Sequence, residues 1–267
     1  MKLIQNKKIE IKSSSSSISF ETTGGGSWKV WDRYISIEGK KAYHIGNICG
    51  TCNFFFERLD GANQKISQKT VIDQLANQAV HIDSDPYFEI IKLIPVGTYL
   101  VFRLQVTPRL VTLGGADDYF ANEEINTWGV DGFWGLPHNP RIPYYRSPSF
   151  AIDSRSILHN FFIPIVPANW LDEGTIGEYE NRIIAGVEPT VICLSYLDVK
   201  EPADWQEGAT HTQHNCFANI ILDGHHKTFV AAKHNRPVNI LSFLSLDNSI
   251  ASESDFQRLV EVLKRNT

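Results

Sequence analysis

A short run near the C-terminus combines groups that bind anions with groups that transfer protons. Asp223, Gly224, His225, His226 and Lys227 follow an apolar run and precede small residues, in the sequence ANIILDGHHKTFVAA. Glycine permits a sharp turn and a close approach of the backbone to a ligand. The start of a helix carries the positive end of its dipole, lysine adds a cation, and histidine adds donors that titrate near neutral pH. The pattern predicts an anion site at a strand-to-helix turn.

The same residues also have a plainer interpretation. Asp223 would cap the helix, and the histidines would be polar surface residues. Asp223 could instead fix the tautomer of a histidine or bind a metal. Because a cap needs fewer polar groups than are present, we favour the anion site. Thr228, at the start of the helix, joins Gly224, His225, His226 and Lys227 as a predicted phosphate contact.

The surrounding sequence resembles the ParB/sulfiredoxin-like fold. IILDGHHKTFVAA is followed by RPVNILSFL and preceded by YENRIIAGVEPTVICLSYLD. That family has a helix, a glycine and a strand, then a second strand entering an Asp-Gly-His-His-Arg-type turn, a helix with small residues and a further strand. The resemblance spans residues 172–246 and implies binding of a nucleotide or of another small phosphate-bearing ligand, with Mg²⁺ as an accompanying ion.

Three departures from the family limit the activities that the resemblance implies. Lys227 replaces the usual arginine, the partition proteins' second motif, an arginine pair after Gly-Glu, is absent, and the turn lacks sulfiredoxin's catalytic cysteine. DNA partition and sulfinic acid reduction are therefore not expected. The activities that remain as predictions are transfer of a phosphoryl group to a small molecule and nucleotide hydrolysis. The predicted catalytic residues are Asp223, His225, His226 and Glu178, with Glu180 as a further candidate base.

Cysteine and histidine residues offer a second chemistry. Cys49 and Cys52 form a Cys-x-x-Cys pair with His44 nearby, which is half of a typical zinc site. His211 and His214, followed by Cys216, would supply the other half. A redox pair or cysteines that only pack in the core remain open alternatives. A non-catalytic interaction or defence-type protein with a degenerate site is also open.

A long aromatic segment covers residues 117–148, DDYFANEEINTWGVDGFWGLPHNPRIPYYRSP. A connection of this length inside a compact domain is unusual and is often functional. Its aromatic side chains would line a ligand pocket or, in the interpretation that we favour, seal the core. His138, Arg141 and Arg146 would recognise an anionic ligand or be surface charges.

The remaining patterns predict an α+β protein with a mixed sheet. Residues 1–150 are expected to form a β-rich part, and residues 151–267 a ParB/sulfiredoxin-like α/β part, within what could be one compact unit. Individual predictions include an N-terminal tail or edge strand, a hairpin over residues 33–45, a helix over residues 67–80 and a closing helix capped by Ser252 or Ser254.

Bulk composition limits the function classes. The chain has 267 residues, 42% of them hydrophobic, and a formal net charge of -5. An acidic chain is not expected to bind nucleic acid through a general basic face. The N-terminus lacks the apolar segment of a secretory signal, and no run is long and apolar enough to span a bilayer. We therefore expect a cytoplasmic protein that does not bind membranes.

Overall fold

The computed structural model describes residues 1–64, 79–130, 138–200 and 211–265. Strands dominate this part of the chain. They are β1 (Lys2–Ile11), β2 (Ile18–Thr23), β3 (Asp32–Ile37), β4 (Lys40–Asn47), β5 (Glu57–Arg58), β6 (Gly97–Val106), β7 (Arg109–Leu110), β8 (Tyr145–Arg146), β9 (Phe150–Ala151), β10 (Ser156–Pro164), β11 (Thr190–Val199), β12 (Gln213–Asp223) and β13 (Val238–Ser245).

The described α-helices are short and lie between or after the strands. They are α1 (Asp85–Ile91), α2 (Glu123–Trp128), α3 (Glu173–Ile184), α4 (His225–Lys233) and α5 (Glu253–Arg265). Within the described ranges, each helix is too short or too polar to cross a lipid bilayer.

The strands form two sheets, and the predicted α+β class is confirmed. The larger sheet has nine strands in the order β1-β6-β13-β11-β12-β10-β8-β7, with β9 paired to β10. It is mixed, because β10 runs parallel to β12 and β11 runs parallel to β13, whereas β11 and β12 are antiparallel. The smaller sheet is antiparallel, in the order β2-β3-β4-β5. The larger sheet contains β1 and β6 as well as the strands from β10 through β13. It is therefore built from residues on both sides of residue 150.

Both faces of the larger sheet are buried along its central strands β11, β12 and β13. Side chains alternate along a strand, so Ile192 and Leu194 of β11 enter one core while Val191 and Cys193 enter the other. The first core also contains residues of the smaller sheet. The second core is closed by the apolar face of α5, which places Leu259 in it. Burial on both faces explains why β11 and β12 read as nearly continuous apolar runs.

Several local predictions are confirmed. The N-terminal segment forms an edge strand, β1, paired with β6. The hairpin of β3 and β4 turns through Glu38 and Gly39, both with positive φ, as tight hairpin turns require. Ser252 Oγ accepts from Asp255 N while the Asp255 carboxylate accepts from Ser252 N, so Ser252 caps α5. The helix predicted over residues 67–80 falls largely outside the described residues.

Candidate functional site

The turn after β12 is shaped by Gly224. Its φ is +99°, a left-handed conformation that residues with a side chain rarely adopt. A Cβ atom on Gly224 would lie 2.9 Å from Cγ2 and 3.1 Å from Cα of Val191. Backbone conformation and the close approach of β11 therefore both require glycine. The helix α4 begins at the next residue, as the sequence predicted for a strand-to-helix turn. We call residues 223–228 the helix-start turn.

The two charges of the helix-start turn bind each other. Lys227 Nζ lies 2.8 Å from Asp223 Oδ2, and each side chain is only 1% exposed. The same ammonium donates to Thr190 O at 3.1 Å and lies 5.7 Å from the centre of the Tyr179 ring. A buried carboxylate and a buried ammonium each lose hydration, so each depends on the other. Lys227 thus neutralises Asp223 inside the protein.

The two histidines of the turn accept hydrogen bonds from the backbone. His225 Nε2 accepts from Ile165 N and His226 Nε2 accepts from Asp172 N, both at 3.0 Å. An imidazole nitrogen that accepts carries no proton, so each neutral ring holds its proton on Nδ1. His225 is buried, whereas His226 is half-buried. The pair fastens the start of α4 to the chain that leaves β10.

The remaining predicted residues divide between the turn and the surface. Thr228 is buried, and its Oγ1 donates to Gly224 O at 2.9 Å. Glu178 is exposed on α3, whereas the next residue, Tyr179, faces Lys227. The structure therefore brings together Asp223, Gly224, His225, His226, Lys227 and Thr228, and it directs Glu178 to solvent.

The helices α3 and α4 lie side by side in the same direction. Asp172, the N-cap residue of α3, contacts His226 at the start of α4. Near their other ends, Glu180 lies 2.6 Å from Lys233 Nζ and 3.1 Å from His234 Nε2. Both positive helix ends therefore meet at one place.

The two helix starts differ in their caps. The Asp172 carboxylate accepts from both the backbone and the hydroxyl of Thr175 at 2.8 Å, and these bonds lower the pKa of Asp172. The N-cap of α4 is Gly224, which has no side chain to offer. The N-cap residue of α3 therefore supplies a negative charge, whereas the N-cap residue of α4 supplies none.

The four predicted zinc ligands do not form one site. Cys49 and Cys52 form a disulfide with each other. His214 is buried elsewhere, on β12, and His211 is half-buried just before that strand. Among the described residues, no group of three or more histidine, cysteine, aspartate or glutamate side chains is arranged to hold a metal. The distance along the sequence between the two halves gave no information about their distance in space.

A second polar region lies at the other end of β12. His214 Nδ1 is 2.8 Å from the Tyr119 hydroxyl, and His214 Nε2 is 3.0 Å from Thr127 Oγ1. His159 of β10 lies beside it, with ring centres 4.7 Å apart. His159 Nδ1 is 3.3 Å from an Arg146 nitrogen, and Arg146 also pairs with a carboxylate of α2. We call Tyr119, Thr127, Arg146, His159 and His214 the histidine cluster.

Burial keeps the two imidazoles at the centre of the histidine cluster uncharged. The direction of their pKa shifts shows this. Burial lowers the pKa of His214 to about 3 and holds the pKa of His159 well below its usual value, with neighbouring positive groups acting in the same direction. Burial also raises the pKa of the Tyr119 hydroxyl. Both imidazoles are therefore uncharged at neutral pH and are poor proton carriers there. Their hydrogen bonds join β10 and β12 to α2 and the aromatic segment.

Sequence reasoning singled out His214 and Arg146 but missed His159 and Tyr119. The signal for His159 was a histidine inside the apolar strand ILHNFF, where a buried polar side chain needs a partner. That partner comes from segments distant in sequence, so the strand alone did not identify it.

Another buried charge cluster connects the two sheets. Arg33 of β3 donates to both carboxylate oxygens of Asp198 on β11, at 3.0 Å for Oδ1. Lys200 Nζ lies 3.8 Å from Asp198 Oδ2 and 3.3 Å from Cys49 O. Bidentate pairing of arginine with a carboxylate fixes orientation as well as charge, so this cluster sets the position of the smaller sheet.

The aromatic segment supplies both core and cavity. Tyr119, Phe120 and Tyr144 are fully buried and pack with Phe54 and Phe56, so these aromatics seal the core as we favoured. A small cavity of about 270 Å³ lies at the edge of the segment, lined by Leu113, Gly114, Asp118, Ala121, His138, Asn139 and Pro140. His138 Nε2 lies 2.8 Å from Phe56 O and Arg146 is buried, whereas Arg141 is exposed and pairs with Glu57.

Comparison with known proteins gives no relative from which an activity could be transferred. The chain matches no protein-family model, no curated protein and no solved structure. The likeness to the ParB/sulfiredoxin-like fold therefore remains a prediction from the sequence.

Proposed function

We propose that the protein binds a small phosphate-bearing ligand at the start of α4. The observation that carries this proposal is the meeting of two parallel helix starts, of which α4 is capped by a glycine rather than by an acidic side chain. A phosphate group is stabilised by the positive end of a helix and by its first N–H groups. The half-buried His226 stands at this end with its proton on Nδ1.

Binding is better supported than phosphoryl transfer. Asp223 is buried and held by Lys227, and Glu178 is exposed on α3. A general base must reach the proton that it removes, and the Asp223 carboxylate is already paired with the Lys227 ammonium. His225 is buried with its Nε2 engaged by Ile165 N, which gives it a part in holding the turn.

A nucleotide is the ligand class that the family resemblance suggests, with Mg²⁺ as its usual companion. The side chains of the turn do not supply the ligands of a Mg²⁺ site. This ion prefers carboxylate oxygens and water, and the Asp223 carboxylate already faces the Lys227 ammonium at 2.8 Å. The proposal therefore assigns the phosphate group, and no metal, to the helix-start turn.

Isothermal titration calorimetry with inorganic phosphate, ADP and ATP, each with and without Mg²⁺, tests this proposal. We expect binding of all three, and a loss of at least tenfold in affinity for His226→Ala, since a hydrogen bond to a charged group contributes about 1.5–3 kcal/mol. His234→Ala is the matched control, because His234 lies at the opposite end of α4. Absence of binding, or equal losses in both variants, would favour the non-catalytic interaction protein, in which the turn only maintains the fold.

A further inference from the structure

The disulfide of Cys49 and Cys52 lies in the loop that follows β4. Both cysteines are half-buried, and the bridge joins residues only three positions apart. A disulfide restricts the unfolded chain less when the loop that it closes is short. The bridge therefore contributes less to stability than one that joins distant segments, and we expect the fold to persist when it opens.

Polar groups beside Cys49 favour its thiolate. Thr51 Oγ1 lies 3.1 Å from Cys49 Sγ, and because a disulfide sulfur carries no hydrogen, the hydroxyl is the donor. Behind the loop, buried Lys200 donates to Cys49 O at 3.3 Å. The charges of Arg33, Lys200 and Asp198 pair with one another behind the loop, so the Thr51 hydroxyl is the group that contacts the sulfur itself. A hydrogen-bond donor to a thiolate stabilises the charged form and lowers its proton affinity.

We propose that Cys49 and Cys52 form a thiol–disulfide exchange site, which an external thiol reduces and an external disulfide reoxidises. The incoming thiolate attacks Cys52 Sγ, the Sγ–Sγ bond breaks, and Cys49 leaves as a thiolate that accepts from the Thr51 hydroxyl. A second external thiolate then attacks the external sulfur of the mixed disulfide and releases Cys52. The balance is one protein disulfide and two thiols giving two protein thiols and one external disulfide.

Exposed apolar side chains flank this site. Trp28, Val30 and Ile48 are 64%, 51% and 45% exposed. Ile48 N donates to Trp31 O at 2.8 Å, and the Trp31 ring stacks on Trp28 with centres 5.7 Å apart. Clustered exposed apolar groups mark surfaces for protein contact. Glutathione and a protein dithiol share the required chemistry, and this surface favours the protein dithiol.

Labelling of native protein with a maleimide, after equilibration in glutathione buffers of different redox ratio, tests the exchange. We expect no labels in oxidising buffer and two in reducing buffer, with unchanged circular dichroism. Cys193 and Cys216 are buried and are internal controls, because they should react only after denaturation. Three results would overturn the proposal. They are resistance of the bridge to reduction in the native state, labelling of all four cysteines together, and one zinc ion per chain in purified protein.

Two single variants test the role given to Cys49. Cys52→Ser keeps Cys49 beside Thr51, whereas Cys49→Ser keeps Cys52. At neutral pH we expect Cys49 to be alkylated several-fold faster than Cys52, because a larger thiolate fraction raises the rate and lower nucleophilicity removes only part of that gain. Adding Thr51→Val should remove most of that difference. Equal rates for the two cysteines would overturn the assignment of Cys49 as the leaving group.

A comparison of reduction rates shows whether glutathione or a protein dithiol is the preferred reductant of the bridge. Glutathione and a dithiol protein such as thioredoxin are compared at equal thiol concentration. We expect the protein to reduce the bridge at least tenfold faster, and Trp28→Ser with Ile48→Ser to slow only the protein reaction. Phe88→Ser on α1 is the control, because Phe88 has a similar exposure, 49%. Equal slowing of both reactions, or of neither, would overturn the role of this apolar surface.

Discussion

The helix-start turn and the histidine cluster lie at opposite ends of β12, and they solve the burial of polar groups differently. The turn buries charge as a pair, with Lys227 and Asp223 2.8 Å apart. The cluster places neutral imidazoles at its centre, with His214 bonded to Tyr119 and Thr127. A buried charge requires an opposite charge, whereas a buried neutral ring requires only a hydrogen bond. The two regions should therefore respond differently to mutation and to pH.

The regions also differ in how the chain assembles them. The turn consists of six consecutive residues, so its chemistry is visible as a motif. The cluster takes residues from the aromatic segment, α2, β8, β10 and β12, and its members are separated by up to 95 positions. Only the fold brings them together, which is why the motif was recognised and the cluster was not.

Removing the ammonium of the turn should have the largest effect. In Lys227→Met, the Asp223 carboxylate loses its cation in a site that is 1% exposed, and we expect a loss of about 3–5 kcal/mol in the free energy of unfolding. Urea denaturation measures it. Lys233→Met on the same helix removes an exposed pair with Glu180 and should cost less than about 1 kcal/mol. Similar losses in both variants would contradict a buried pair.

The histidine cluster should make stability depend on pH. The pKa of His214 is about 3 in the fold and 6.5 in the unfolded chain. The unfolded chain therefore binds more protons between these values, so stability is fully present above about pH 6.5 and falls as the pH decreases towards 3.

By pH 5, His214 alone should reduce the free energy of unfolding by about 2 kcal/mol, and His159 acts in the same direction. Denaturant titrations at pH 7 and pH 5 measure the change, and His214→Gln should make the dependence weaker. A wild-type stability that is flat between these pH values would show that the imidazoles are not buried as neutral groups.

A smaller effect is expected for Tyr119→Phe, which removes the hydroxyl that lies 2.8 Å from His214 Nδ1 but keeps the ring in the core. The loss of one buried hydrogen bond should cost about 1–2 kcal/mol. Thermal unfolding measures the stability of this variant and of Tyr43→Phe as a comparison. The Tyr43 hydroxyl donates to Pro164 O elsewhere in the core. Only Tyr119→Phe should also change the pH dependence.

The smallest effect on stability should come from His226→Ala. His226 is half-buried and accepts one backbone N–H, so its loss should cost less than about 1 kcal/mol, whereas His225→Ala at a buried position should cost about 1–3 kcal/mol. Chemical denaturation of the two variants decides between them. The reverse order would mean that His226, and not His225, secures the start of α4.

Local sequence signals predicted most of the fold. Apolar alternation predicted the hairpin of β3 and β4, the segments that resemble the ParB/sulfiredoxin-like fold contain β11, β12 and β13, and Ser252 located the start of α5. Gly224 correctly indicated a strand-to-helix turn. The contacts of the turn's side chains could not be predicted, because their partners Thr190, Ile165 and Asp172 are set by tertiary packing. The zinc prediction required two distant segments to meet, and in the part of the chain that the structure describes its four candidate ligands do not come together.

Phosphate titration followed by two-dimensional ¹H–¹⁵N NMR tests the central claim most directly, because it locates binding residue by residue. We expect the largest amide shifts at Gly224, His225 and His226, with smaller shifts at Asp172 on the adjacent helix start. Shifts centred on the cavity beside His138, or no shifts at the turn at phosphate concentrations in the millimolar range, would contradict a phosphate site at the start of α4.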